Sequence, residues 1–128
     1  MRVAHSCYRV TDLDRSLAFY ALLGFEEEVR LPLHDSSGWA SFIRLPGDSE
    51  PRVELWFMPG SGSHEPGAGY GHIGVAVDDL DALLGELSEK GIAPLMEPFK
   101  PHPDGPTRLA FISDPDGYEV ELLEHYPY

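Results

Sequence analysis

The stretch Tyr70-Gly-His-Ile-Gly-Val-Ala-Val77, which runs directly into Asp78-Asp79-Leu80-Asp81, decides the fold because it begins a second copy of the first half of the chain. A gap-free offset of 67 positions brings three segments of the first half onto three of the second: His5 onto His72, Asp12-Leu13-Asp14 onto Asp79-Leu80-Asp81, and Val53-Glu54-Leu55 onto Val120-Glu121-Leu122. Such a repeat indicates that one supersecondary unit occurs twice. Each copy supplies one His and one Glu, which predicts a four-residue site.

The composition indicates a domain that binds a small molecule or a divalent cation. Nine basic residues against 22 acidic ones give the 128-residue chain a net charge of −13, whereas nucleic acids and anionic membranes select clustered Lys and Arg. No apolar run approaches the ~20 residues of a membrane span, and no apolar stretch typical of a signal peptide follows Arg2. The single cysteine, Cys7, allows no internal disulfide and fits a reducing compartment, so we expect a cytoplasmic protein.

Hydrophobic periodicity and turn residues predict the order β-α-β-β-β in each half. In the first half we expect a helix that Asp12 caps and that ends near Leu23, with strands over residues 2–10, 25–33, 39–45 and 52–58. In the second half we expect a helix that Asp79 caps and that ends at Gly91, with strands over residues 72–77, 92–96, 108–113 and 118–124.

This order predicts one domain over residues 1–128, with module one at 1–58, a Gly- and Pro-rich linker at 59–70 and module two at 71–128. A sheet with a helix on one face buries that face and leaves the other open. We therefore expect an α+β fold in which two tandem βαβββ modules form a cupped mixed sheet with the helices outside.

Side-chain alternation places Glu54, His72 and Glu121 opposite the apolar, helix-facing residues, and the repeat adds His5. Taken singly, each has a simpler explanation, since a strand His is more often packed against neighbours and a Glu among apolar residues usually faces solvent. The coincidence of four at one offset favours a site for a divalent transition metal, which two imidazoles and two carboxylates suit.

Other polar residues near these positions have explanations that need no site. Asp12 and Asp79 are repeated, but helix capping accounts for them fully. Cys7 shares the face of His5 and is either a reactive thiol or, as we expect, a small apolar residue. The proline-rich segment 98–106, which includes Lys100, is either a lid over a binding site or a surface excursion between strands.

The chain also resembles a known family, glyoxalase I, the lactoylglutathione lyase of the vicinal oxygen chelate superfamily. The resemblance covers almost the whole chain and rests on these segments: Arg9-Val10 after His5, Asp12-Leu-Asp-Arg-Ser-Leu-Ala-Phe-Tyr20, Leu23-Gly-Phe25, Val53-Glu54-Leu55, Gly69-Tyr-Gly-His-Ile73 and Asp114-Pro-Asp-Gly-Tyr-Glu-Val-Glu-Leu-Leu-Glu124. It implies the vicinal oxygen chelate fold and a homodimer with shared sites. His5 and Glu54 would come from one subunit and His72 and Glu121 from the other.

The resemblance further implies a metal-dependent isomerisation. His5, Glu54, His72 and Glu121 would bind Ni, Co, Zn or Mn. The implied substrate is the hemithioacetal of glutathione and methylglyoxal, which is converted to a lactoyl thioester through a metal-bound enediolate, a reaction of methylglyoxal detoxification. By analogy Glu121 is the expected base and Glu54 its near-symmetric counterpart.

The residues expected around the substrate follow the family only in part. Arg9 matches the arginine that family members use against a carboxylate of glutathione, and Lys100 is a further candidate. Met58 stands where the family usually places an Asn that binds glutathione, and Trp56 points toward the expected cup. By this resemblance the chain retains the metal ligands of the family, while the thiol part of the substrate is either glutathione or another thiol.

Two other functions stay open at this point. One is a related metalloenzyme, such as a methylmalonyl-CoA epimerase-like isomerase, which also removes a proton next to a carbonyl. The other is a non-catalytic small-molecule-binding protein like the bleomycin-resistance members of the superfamily. Those members lack the set of metal ligands, so the four matching positions in this chain make a binding protein the weakest of the three functions.

Overall fold

The computed structural model describes residues 1–63 and 65–127, which contain seven strands and two helices. In chain order these are β1 (Ser6–Val10), α1 (Leu13–Leu22), β2 (Glu26–Pro32), β3 (Trp39–Arg44), β4 (Val53–Phe57), β5 (His72–Val77), α2 (Leu80–Glu89), β6 (Arg108–Ser113) and β7 (Glu119–Glu124). The chain divides into two compact units, unit 1 (Met1–Glu65) and unit 2 (Pro66–Tyr128), whose boundary falls in the Gly- and Pro-rich segment. No helix among the described residues has the length and apolar character that crossing a membrane requires.

Unit 1 contains a four-stranded mixed sheet, sheet 1, in the order β1-β4-β3-β2. β1 lies parallel to β4, while β3 is antiparallel to both β4 and β2. Apolar residues at alternate positions cover one face, which α1 contacts; Ile43, Val53 and Leu55 are each at most 1 % exposed. The opposite face, which we call the open face of sheet 1, carries Phe42 and Glu54.

Unit 2 contains a three-stranded mixed sheet, sheet 2, in the order β5-β7-β6. β5 is parallel to β7, and β6 is antiparallel to β7. Ile112, Val120 and Leu122 are fully buried on the face that α2 contacts. Phe111 and Glu121 pair across β6 and β7 on the other face, the open face of sheet 2. Both units therefore have the mixed α+β organisation that the repeat predicts.

Both helices begin where the sequence predicts and end within two residues of the predicted position. Each N-cap carboxylate accepts a hydrogen bond from the backbone N–H three residues later, at 3.0 Å for Asp12 and 2.9 Å for Asp79. Gly24 and Gly91 follow the helices with φ angles of +88° and +79°, a left-handed conformation that glycine adopts without strain. Helix capping is thus confirmed as the role of the repeated aspartates.

The prediction of a strand over residues 92–96 is wrong, because this segment forms no regular strand. Module two therefore has the order β-α-β-β. The segment instead follows the edge of β6 irregularly, with a hydrogen bond of 2.8 Å from the Leu95 N–H and a bridge of 3.0 and 2.9 Å at Phe99. Pro94 and Pro98 carry no backbone N–H. Because two donors are missing within five residues, a continuous ladder does not form.

The first strand is also shorter than the predicted span of residues 2–10. β1 begins at Ser6, whose N–H donates to the carbonyl of Arg52 at 2.9 Å. His5 therefore lies immediately before the strand and not within it. Its side chain nevertheless lies on the same face as that of Cys7, two residues later, because it contacts Glu54 on β4.

A buried carboxylate in unit 2 ties the last strand to α2. Glu124 is 9 % exposed, and its Oε1 accepts a hydrogen bond of 3.0 Å from the Leu80 N–H at the start of the helix. Arg108 lies 3.4 Å from the other oxygen of Glu124 and donates two hydrogen bonds, of 2.9 and 3.0 Å, to Asp81. The Arg108 guanidinium holds the pKa of Asp81 below its usual range. A carboxylate at a helix N-terminus is favourable, so this network fixes α2 against sheet 2.

Gly38 is expected to tolerate no side chain. A Cβ there would lie 2.0 Å from the backbone oxygen of Phe57, so Gly38→Ala should lower the free energy of unfolding by at least about 2 kcal/mol, measured by urea denaturation. The control is Gly85→Ala within α2, where a Cβ has no neighbour within 4 Å and should stabilise the protein by up to about 1 kcal/mol. Equal stabilities for the two variants would contradict the close approach of β3 and β4 at this point.

Candidate functional site

The two His–Glu pairs predicted from the repeat both form. In unit 1, His5 Nε2 lies 3.0 Å from Glu54 Oε2, and in unit 2, His72 Nε2 lies 3.2 Å from Glu121 Oε2. The carboxylate side chains are only 16 % and 10 % exposed, whereas the imidazoles are 38 % and 42 % exposed. Each pair therefore presents one nitrogen and one oxygen, close together, on the open face of its sheet.

Parallel strand pairing creates both pairs in the same way. Cys7 lies opposite Glu54 in the β1–β4 register, and Gly74 lies opposite Glu121 in the β5–β7 register. In each unit the histidine precedes that position by two residues. Because side chains alternate with a period of two along a strand, the histidine shares the face of the glutamate and reaches its carboxylate.

A phenylalanine in each unit supports the histidine ring, and the sequence analysis missed both. His5 contacts Phe42 edge-to-face, with ring centroids 5.2 Å apart, and His72 contacts Phe111 in the same way at 5.3 Å. Each phenylalanine is also the antiparallel partner of the glutamate in its unit. The signal that could have found them is the register of the last hairpin in each module, which places an aromatic residue directly across from the glutamate.

The geometry of each pair fits a divalent metal. Ligand atoms about 2.0–2.2 Å from a metal and at right angles to each other lie roughly 3 Å apart. The nitrogen and oxygen of both pairs have this separation. Within residues 1–63 and 65–127, no group of three or more His, Cys, Asp or Glu side chains is placed to hold a metal, so each unit by itself offers two of the four predicted ligands.

Arg9 and Trp56, two of the predicted substrate-binding residues, lie together on the open face of sheet 1. They are opposite each other in the β1–β4 register, two residues beyond Cys7 and Glu54. The guanidinium carbon of Arg9 lies 4.6 Å from the centroid of the Trp56 ring, a cation–π contact that orders both side chains. A cation and an aromatic surface therefore adjoin the His–Glu pair of unit 1.

The other two predicted substrate-binding residues, Met58 and Lys100, lie outside the helices and strands. Met58 follows β4, and its carbonyl accepts a hydrogen bond of 3.2 Å from the Ser61 N–H. Lys100 Nζ donates to the Gly105 carbonyl at 3.1 Å and so closes the loop over residues 98–106 on itself. Contact of either residue with a substrate stays a prediction, as does the role of this loop as a lid.

Cys7 lies next to the carboxylate of Glu54. Although the residue as a whole is exposed, partial burial of its sulfur raises the pKa of the thiol, and the negative charge of Glu54 and a hydrogen bond to it add to this effect. The pKa reaches about 11, so the protonated thiol dominates at neutral pH. Since the thiolate is the nucleophile, this environment disfavours a reactive cysteine.

A separate cavity of about 390 Å³ lies on the helix-covered face of sheet 1, at the start of α1. Its lining includes Asp12, Asp14, Arg30 and Trp39, and none of the paired His and Glu residues. The His–Glu pairs are thus on open faces, and the cavity belongs to the opposite side of its sheet.

Comparison with known proteins gives a consistent result. The family profile of the Glyoxalase/Bleomycin resistance protein/Dioxygenase superfamily matches residues 2–122. A protein of Synechocystis sp. named "Probable lactoylglutathione lyase" is 34% identical over 126 residues, which cover 97% of this chain and 95% of that protein. The structure titled "Specificity of the Trypanothione-dependednt Leishmania major Glyoxalase I: Structure and biochemical comparison with the human enzyme" superposes with a TM-score of 0.78 at 30% identity, covering 97% of this chain and 86% of the other.

Some relatives are much longer than this chain. The "Probable lactoylglutathione lyase, chloroplastic" of Arabidopsis thaliana is 38% identical over 128 residues, but these residues are only 36% of its length. The chain thus spans about a third of that plant relative and nearly the whole of the cyanobacterial one.

The raised pKa of Cys7 predicts slow alkylation. At pH 8 we expect iodoacetamide to modify this thiol roughly a hundredfold more slowly than an ordinary exposed cysteine, because the thiolate fraction falls by that factor. Mass spectrometry of timed samples measures the rate. Glu54→Gln should accelerate the reaction by removing the neighbouring charge, and alkylation of the unchanged protein at the rate of a free cysteine peptide would refute the environment described for the thiol.

Proposed function

The chain belongs to the Glyoxalase/Bleomycin resistance protein/Dioxygenase superfamily, and we propose that it is a metal-dependent lyase of the glyoxalase I kind. Its substrate is the hemithioacetal formed by methylglyoxal and a thiol, and its product is the lactoyl thioester. The observation that carries the proposal is the pair of matching His–Glu contacts, 3.0 and 3.2 Å long, one on the open face of each sheet. A role in methylglyoxal detoxification in a reducing, cytoplasmic compartment is part of the same proposal.

The proposed metal ligands are His5, Glu54, His72 and Glu121. When bound, the metal supplies a Lewis acid that stabilises negative charge on two adjacent oxygens of the substrate. The pairs combine in a homodimer, in which each site takes one pair from each subunit. The phenylalanine beside each histidine restrains the ring, so that the ligand nitrogens are preorganised before the metal arrives.

Glu121 carries the proton in the proposed reaction. Its carboxylate takes the proton from the carbon that bears the sulfur and returns it to the neighbouring carbon, so that the reaction is an isomerisation with no net loss or gain of protons. The low exposure of this side chain keeps bulk water from competing for the proton. Glu54 stands in the corresponding place in unit 1.

The thiol half of the substrate is proposed to bind beside Arg9. A carboxylate of the thiol would pair with the guanidinium, which the Trp56 ring holds in place at 4.6 Å. Met58 offers no side-chain amide at the position where an Asn is expected to bind glutathione. The solved relative from Leishmania major has a title that calls it trypanothione-dependent, which supports variation of the thiol among relatives.

An assay of metal content and thiol preference tests the proposal. Purified protein is analysed for bound metal, reconstituted with Ni, Co or Zn, and assayed on hemithioacetals of methylglyoxal with glutathione, trypanothione, 3-mercaptopropionate and uncharged 2-mercaptoethanol. We expect bound metal, thioester formation, and a preference for thiols that carry a carboxylate. Arg9→Ala should remove that preference through an increase in KM, with little change in kcat.

The metal ligands have a matched control in the same assay. His5→Ala and His72→Ala should lose metal, whereas His34→Ala, in the turn before β3, should retain it. Bound metal without turnover of any hemithioacetal would exclude the lyase, and racemisation of methylmalonyl-CoA would then support the epimerase alternative. Failure to bind Ni, Co or Zn would exclude the metal-dependent mechanism and leave the small-molecule-binding protein.

The assignment of the base predicts a large kinetic effect at one position. Glu121→Gln should lower kcat by roughly 10²–10⁴-fold, the usual contribution of a positioned general base, while the variant stays folded and dimeric. Glu119→Gln changes an exposed carboxylate on the same strand and face and should keep the original kcat. Turnover by Glu121→Gln within a few-fold of the unchanged protein would show that another group is the base.

A further inference from the structure

The two half-sites are alike in three residues and differ in a fourth. Each has a histidine, a glutamate and a phenylalanine in the same mutual arrangement. The residue directly opposite the glutamate on the neighbouring parallel strand is Cys7 in unit 1 and Gly74 in unit 2. A thiol therefore adjoins one carboxylate, and no side chain occupies the corresponding place beside the other.

Unit 2 has little room for a side chain at this place. A Cβ on Gly74 would lie 3.1 Å from the Leu123 side chain and 3.6 Å from Glu121 Oε2. A contact of 3.1 Å requires Leu123 to shift, and any longer side chain would also meet the Glu121 carboxylate. Gly74 therefore keeps the space beside Glu121 open, and this carboxylate contacts His72.

Unit 1 fills the same space with a hydrogen-bond donor. Cys7 lies directly opposite Glu54 in the β1–β4 register, and Oε2 of the same carboxylate contacts His5. Trp56, which corresponds to Leu123, lies against Arg9 in a cation–π contact. The Glu54 carboxylate thus has two neighbours within its own sheet, the His5 imidazole and the Cys7 thiol.

We propose that Cys7 is a positioning residue that holds Glu54 in place, and that this contact makes Glu54 the fixed carboxylate and Glu121 the mobile one. The proposal rests on the proposed function, in which either of two near-symmetric carboxylates could carry the proton. A hydrogen bond from the thiol to a Glu54 oxygen opposes movement of that carboxylate toward a substrate carbon. Glu121 has no such restraint from the glycine opposite to it.

The first test observes the contact without any metal or substrate. The chain has a single cysteine, so its infrared spectrum contains one cysteine S–H stretching band. We expect this band at a lower wavenumber in the apo protein than in Glu54→Ala and Glu54→Gln, because a hydrogen bond to a carboxylate weakens the S–H bond. Glu121→Ala should leave the band unchanged, and Cys7→Ser should remove it, which confirms the assignment.

The second test uses catalysis in a background where Glu121 is disabled. Cys7→Gly copies the residue of unit 2 and should free Glu54, so the double variant Cys7→Gly/Glu121→Gln should be roughly tenfold more active than Glu121→Gln alone, an interaction of the size found between contacting residues. Cys7→Ala should have a similar effect. Cys7→Ser/Glu121→Gln should show no such gain, because a hydroxyl preserves the hydrogen bond.

The outcomes separate this proposal from the proposed function. An S–H band at the same position in the unchanged protein, Glu54→Ala and Glu54→Gln overturns the positioning role, whatever the enzyme's substrate is. Equal activity of Cys7→Gly/Glu121→Gln and Glu121→Gln also overturns it. If no hemithioacetal is converted by the unchanged protein, the proposed function fails, while a shifted S–H band still supports the contact between Cys7 and Glu54.

Discussion

Parallel pairing between the first and last strands of each repeat is the constraint on which the site depends. In both copies the glutamate follows the histidine by 49 residues, and only the β1–β4 and β5–β7 pairings bring them into contact. A parallel connection needs a long crossover, which in each unit includes a helix. The buried apolar face that holds this helix also fixes the register, because a slip of one residue would turn every side chain to the opposite face. The separation of 3.0 to 3.2 Å between imidazole and carboxylate is therefore a consequence of packing on the other side of the sheet.

The His–Glu pairs could be predicted from the sequence because the first and last strands of the two copies are related by the same offset of 67 residues. The same offset did not reveal the phenylalanines that contact the two histidines. Phe42 precedes Glu54 by 12 residues, while Phe111 precedes Glu121 by only 10, since the second hairpin turn is shorter. An offset of 67 therefore pairs Phe42 with Leu109 and hides the equivalence. The prediction of a strand over residues 92–96 was wrong for another reason. The apolar character of the segment indicated a strand, but Pro94 and the nearby Pro98 lack the backbone N–H groups that a continuous strand needs.

The helix-covered faces show how far the two copies have diverged behind a conserved open face. In unit 2, Arg108 on the sheet contacts Asp81 on α2 and Glu124 on β7, and Glu124 accepts a hydrogen bond from the first N–H of the helix. By strand register the residues of unit 1 that correspond to Arg108 and Glu124 are Trp39 and Phe57, which line a cavity instead. The place beside the helix N-terminus is therefore filled by an ionic network in unit 2 and bordered by aromatic side chains and a cavity in unit 1. The open face keeps nearly the same His–Glu separation in both units, as the proposed role of these residues as metal ligands requires.

Residues next to the pairs, and not the pairs themselves, make the two halves chemically different. Beside Glu54 the first copy has Cys7 and, further along the strands, Arg9 stacked on Trp56; beside Glu121 the second copy has Gly74, followed by Ala76 and Leu123. In the proposed reaction one carboxylate moves a proton between two adjacent carbons while the other stays in place. The reaction also needs a fixed charge that orients the rest of the substrate. A symmetric pair of half-sites supplies the ligands but not this distinction. In the proposed function the thiol, guanidinium and indole of unit 1 supply it without changing any of the four proposed ligands, so we expect substitutions at these neighbouring positions to alter substrate choice while the His–Glu geometry is retained.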